Sequence, residues 1–192
     1  MPLSLPVSRR ALKHTRTLRV DAFARDDGLW DLDAQISDVK TLTAGLASGE
    51  RAAGAPIHDL LLRITIDLSF NIVAAEAVSD AVPYPGFCDT IGGAYQQLVG
   101  LNLFQGFRAA VKARVGGAAG CTHLTELTQF LPTAALQAFA GDVIDTRDGA
   151  HDDQQEKPFQ LDRCHALRSD GAAVAQYYPR WSIRPRAPLP SS

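Results

Sequence analysis

Two stretches of strict alternation constrain what this chain can become. In residues 30–37, Trp30, Leu32, Ala34 and Ile36 alternate with Asp31, Asp33, Gln35 and Ser37. In residues 60–67, Leu60, Leu62, Ile64 and Ile66 fall on one face and Arg63, Thr65 and Asp67 on the other. A period of two sends successive side chains to opposite faces of an extended chain, so each stretch has one face suited to burial. Such strands need a sheet that is covered on one side. Residues 17–24 are predicted to pair with the first stretch through a turn ending in Asp27-Gly28, a strong hairpin signal. A turn at 68–71 leads into 72–78, rich in small and β-branched residues. The expectation is a mostly antiparallel sheet of about four strands.

The second half changes period. Pro83, Pro85 and Gly86 break the sheet, and Ile91, Tyr95, Leu98 and Val99 then recur at helical spacing until Gly100. Phe104, Phe107, Val111 and Val115 form a second apolar stripe ending at Gly116-Gly117, and Leu124, Leu127 and Leu131 form a third. Pro132 is placed to open a short fourth helix over 133–140. Strands followed by helices predict an α+β fold with three to four helices on one face of the sheet. The predicted domain is a single one over 14–179. Within it, 145–158 is predicted to be an acidic mobile loop and 43–55 a surface loop; 180–192 reads as a disordered Pro-rich tail.

Composition narrows the function classes. With 19 basic and 21 acidic residues the formal charge is −2, which gives no footprint for nucleic acid. No run reaches the ~18–20 apolar residues that cross a bilayer, so no membrane partner is expected. Residues 1–10 lack the apolar core of a signal peptide. Three cysteines are an odd, small number, unsuited to a disulfide framework and suited to the cytoplasm. There is no glycine-rich phosphate loop, no G-x-S-x-G elbow and no H-E-x-x-H pair.

The cysteines carry the most chemistry. Each has another ligand type beside it: Cys88-Asp89, Cys121-Thr122-His123 and Cys164-His165. Cys88 and Cys121 also fall at predicted helix starts, where unpaired N–H groups favour a thiolate. Three thiolates and an imidazole would suit tetrahedral zinc or part of an iron–sulfur cradle. There is no C-x-x-C pair, and the cysteines are 33 and 43 residues apart, so only the tertiary fold could assemble such a site. The plainer alternative is that they are core cysteines acting as small hydrophobes. His58-Asp59 reads either as ligands or a proton-transfer pair, or as a solvated turn opening a strand. His14 is assigned to the surface, and Glu126 to favouring a helix N-terminus.

Several segments together resemble a bacterial family known only as a domain of unknown function. They are His14-Thr15-Arg16, Gly28-Leu29-Trp30-Asp31, Ser37-Asp38-Val39-Lys40, Pro56-Ile57-His58-Asp59, Gly120-Cys121-Thr122-His123-Leu124 and Cys164-His165-Ala166. The Gly-Cys-Thr-His-Leu segment is the most specific of them. Residues 59–88 are more distantly similar to the core of NifU-type iron–sulfur cluster scaffold proteins. That resemblance implies ligand positions at Asp59, Cys88 and Cys121 with His123. Ile57 stands where those scaffolds carry their first cysteine, leaving His58 as the replacement, and Phe87 stands where they have glycine.

The leading expectation is therefore a cytoplasmic protein of iron–sulfur-scaffold-like fold that binds zinc or an iron–sulfur cluster. Its ligands would be Cys88, Cys121 and His123, completed by Cys164, Asp59 or His58. The alternatives are an enzyme with Cys121 as nucleophile and His123 or His58 as base, and a non-catalytic module that meets an unknown protein partner through the Phe104/Phe107 helix or Trp181.

Overall fold

Four long strands carry the fold in a computed structural model, which describes residues 3–146 and 157–183. β1 (His14–Ala24), β2 (Trp30–Lys40), β5 (Pro56–Ile66) and β6 (Ile72–Ala81) form one antiparallel sheet in the order β1-β2-β5-β6. The β1–β2 turn is the predicted one, with Gly28 at φ 83°, a conformation that favours glycine. The β5–β6 turn is fixed by Asp67, whose carboxylate accepts the N–H groups of Ser69 and Asn71, both at 2.9 Å. The segment assigned to a surface loop instead contains a small hairpin, β3 (Ala44–Leu46) with β4 (Gly49–Arg51).

The inward stripes are those that the alternation marks. Leu32, Ala34 and Ile36 of β2 and Leu60, Leu62, Ile64 and Ile66 of β5 are all buried. The strands run further than their apolar stripes, however. β5 begins at Pro56, so His58 and Asp59 lie inside a strand and not in the turn that was the alternative for them. Ladder hydrogen bonds to β2 hold that segment extended although its side chains are polar.

Helices cover one face of the sheet, as expected of the α+β class. The first is an eleven-residue 3-10 helix, Cys88–Leu98, packed against β6. In a 3-10 helix residues three apart share a face, so Gly92, Tyr95 and Leu98 turn to the sheet together. A Cβ at Gly92 would overlap the Ala77 carbonyl oxygen, so this close approach requires glycine. The different period also explains why Val99, placed in the apolar stripe by an α-helical reading, is exposed. α1 (Phe107–Val115) buries Phe107, Val111 and Val115, while Phe104, one turn before its start, is exposed. α2 (Thr122–Thr128) lies over β2 and β5, and α3 (Leu131–Phe139) follows, with Leu131 and Ala135 buried.

The chain divides into two compact units, residues 1–138 and 139–192. The second contains α4 (Ala172–Tyr177) and a short 3-10 turn, Pro179–Trp181. Within it, Asp162 accepts the N–H and hydroxyl of Ser169 (both 2.7 Å) and pairs with Lys157, and Tyr178 and Gln160 both donate to the Thr146 carbonyl. Most of the expected acidic loop (147–156) and of the expected tail (184–192) lies outside the described residues. Among the described residues no helix is long and apolar enough to cross a membrane.

Candidate metal centre

The buried stripes of β2 and β5 each end in a polar residue at the same edge of the core. After Leu32, Ala34 and Ile36, the next inward position on β2 is Asp38. Before Leu60 on β5, it is His58. Register makes these two direct partners, and Arg16 of β1 faces Asp38 from the other side. Arg16, Asp38 and His58 thus form one row across three strands.

Asp38 is the centre of the row, with its side chain only 4% exposed. Arg16 grips it bidentately, Nε to Oδ1 and Nη2 to Oδ2, both at 2.9 Å. His14 Nε2 lies 2.8 Å from Oδ1 and His58 Nδ1 lies 3.1 Å from Oδ2. Burial by itself would raise the pKa of this carboxyl. The hydrogen bonds from Arg16 and His14, with the Arg16 charge, outweigh that and hold it at about 2. Asp38 is a fixed anion at any physiological pH.

α2 brings the remaining groups from above. His123 Nε2 is 3.8 Å from Asp38 Oδ2, and its ring lies against that of His58 with centroids 3.8 Å apart. Burial lowers the pKa of both imidazoles. The neighbouring His123 lowers that of His58 further, and Arg16 that of His123. Both are therefore held neutral, the state in which an imidazole nitrogen binds a metal. Glu126, one turn along α2, accepts a 2.8 Å bond from Arg16 Nη1, so one guanidinium ties the sheet to the helix.

The Gly-Cys segment before α2 is held by backbone chemistry. The Tyr95 hydroxyl donates to the Cys121 carbonyl (2.8 Å) and accepts the Cys121 N–H (3.0 Å). A Cβ at Gly120 would overlap the Val115 carbonyl oxygen and come within 3.1 Å of the Tyr95 hydroxyl, so the position admits only glycine. This fixes Cys121 just ahead of the helix, with Sγ 3.9 Å from His123 Nδ1.

Among the described residues, Asp38, His58 and His123 are the group whose ligand atoms all lie within 4.8 Å of one another. Two of the three, His58 and His123, were marked by the sequence, and Cys121 flanks them. Cys88, half-buried, opens the 3-10 helix outside this group. Asp59 follows His58 on the strand, so it turns to the opposite face, where its carboxylate accepts Gln35 Nε2 at 2.7 Å. Cys164 is exposed in the second unit. The sequence does not single out Asp38 or Arg16 as site residues; His14 is exposed, as expected, and still reaches Asp38 from the surface. The signal for Asp38 was present: it is the next member of the β2 inward stripe, and an acid there needs partners.

Over residues 14–137 the chain matches the family described as "Protein of unknown function (DUF2889)", and it belongs to that family. That span contains Arg16, Asp38, His58, Cys121, His123 and Glu126. No curated protein and no solved structure matches the chain.

Proposed function

We propose that this member of a family without an assigned activity binds a single divalent transition-metal ion, zinc or iron(II), through Asp38, His58 and His123. One observation carries the reading: three donors of suitable type converge, all within 4.8 Å. Ligand atoms about 2.0–2.2 Å from a shared ion lie roughly 3–3.5 Å from one another. The 3.1 Å from His58 to Asp38 falls within that spacing, and the 3.8 Å from His123 to Asp38 lies a few tenths of an ångström above it. Two histidines and one carboxylate also leave coordination positions open for water or substrate. Arg16 and His14 would serve as the outer partners that orient the carboxylate. A nitrogen and oxygen donor set favours a single ion over an iron–sulfur cluster, which is held by thiolates. The NifU-type resemblance supports the reading only through Cys121 and His123, with Cys121 available as a further ligand. The three cysteines suit a reducing, cytoplasmic setting.

Elemental analysis of the purified protein tests this. The expected result is close to one zinc or iron per chain in wild type and none in the His58→Ala/His123→Ala double variant. Neither metal in aerobic or anaerobic preparations, with no uptake on reconstitution, would sink the proposal.

A second reading has its own observation. Cys121 Sγ, His123 and Asp38 follow one another at 3.9 and 3.8 Å, the order of a nucleophile, a base and a group orienting the base. Thiol alkylation across pH separates the two readings. An activated Cys121 reacts well below the ordinary thiol pKa of about 8.5, whereas under the metal reading it is not activated, and where it serves as the further ligand it is protected until a chelator is added.

A further inference from the structure

A cavity of about 330 Å³ opens beside the metal position, lined by His14, Arg16, Asp38, Lys40, Ile57 and His58. This is at the small end of the ligand-pocket range of roughly 300–1,000 Å³. Most of its polar groups are already used. Arg16 spends its guanidinium on Asp38 and Glu126, and Asp38 accepts from Arg16 twice and from His14; its contact with His58 would give way to the bound ion. Two groups keep unused capacity. His14 retains Nδ1, and the Lys40 ammonium has no partner among the described residues. Lys40 is the last residue of β2, two positions beyond Asp38 and in register with His14. Arg16 balances one of its two carboxylate partners, Asp38 and Glu126, and Lys40 offsets the other, so a divalent ion would leave the site net positive.

Resting on the metal reading above, we infer that this cavity seats a small carboxylate. Its anionic end lies between Lys40 and the open metal positions, and its apolar end lies against Ile57. A phosphate dianion fits less well, because the cavity offers no free guanidinium fork and Ile57 forms part of its wall.

Cobalt(II) gives separate readouts for the two claims. Full-length protein stripped of metal and loaded with cobalt(II) should show visible d–d bands from the bound ion. Butyrate should then shift those bands, butyramide should not, and Lys40→Gln should weaken the butyrate response about tenfold, the loss of one charge-assisted contact. Lys40→Gln is exposed at a strand end, and circular dichroism checks that the variant folds. If no bands develop, the metal reading falls and takes this inference with it. Bands that butyrate leaves unchanged overturn the inference alone. So do equal responses to butyrate and butyramide, undiminished butyrate binding in Lys40→Gln, or tighter binding of inorganic phosphate than of butyrate.

Discussion

Arg63 grips Asp33 across β5 and β2 on the face turned away from the helices, and Arg16 grips Asp38 across β1 and β2 beneath α2. The two pairs are chemically alike: each is bidentate and joins register partners, with bonds of 2.6 Å in the first and 2.9 Å in the second. Their surroundings differ. Arg63 is 52% and Asp33 29% exposed, and their row continues through Asp21 and Glu76 as charges that water can reach. Asp38 is 4% exposed, although Arg16 is 34%, and its row is roofed by His123 and Glu126. An ion pair in water is worth little because water competes for both partners. At the edge of a core the Asp38 carboxylate is out of reach of solvent, so the groups that satisfy it must be supplied by the fold. That need concentrates donors around Asp38, and the concentration is what makes it a candidate site.

Substitutions break the comparison at its strongest point first. Arg16→Gln leaves a buried carboxylate short of its main partner and should cost about 3 kcal/mol in chemical denaturation. A loss below about 1 kcal/mol would mean that Asp38 is solvated like Asp33. Gly120→Ala should cost roughly 2 kcal/mol, because the new methyl meets backbone that cannot move freely. It should also reduce metal uptake by displacing His123. Tyr95→Phe removes the hydroxyl that holds both backbone groups of Cys121 and should cost about 1.5 kcal/mol, with Cys121 alkylated faster if its position loosens. Arg63→Gln should cost less than about 1 kcal/mol, and that loss should shrink in high salt.

Acid sharpens the same contrast. The folded state holds Asp38 at about 2 against an ordinary 3.8, so the unfolded chain binds more protons between those values. Stability from Asp38 is complete above the ordinary value and is lost as pH falls from there toward 2. His58 and His123 are also depressed, from 6.5, so the metal-free protein should begin to lose stability as pH drops below that value. Melting temperatures recorded against pH should show two stages. The first should vanish in His58→Ala/His123→Ala, and a single stage in the parent protein would contradict the neutral-histidine picture.

The sheet was legible in the sequence because alternation is a local property: each strand announces its own buried face. Four mostly antiparallel strands follow from it, and the Asp-Gly pair marks the first turn; the order in which the strands lie does not follow. The site was only half legible. His123 and His58 stood out as ligand types, yet His58 sits inside a strand that its polar side chains disguise. Asp38 reads as one of many surface acids until β2 is extended to Lys40. That Arg16, Asp38 and His58 share a row is a matter of cross-strand register, which no single segment encodes. The 3-10 helix escaped for a similar reason. Its face repeats every three residues, and Tyr95 and Leu98 satisfy both that spacing and an α-helical one.

The tie that Arg16 makes between Asp38 and Glu126 has a consequence for α2. A seven-residue helix is too short to persist alone in water, so its order is borrowed from the sheet beneath it. His123 is then held in place only while that loan stands. Whatever enters the site and bridges His123 to His58 becomes a second creditor, and its arrival should slow amide exchange along α2 ahead of any change in the strands.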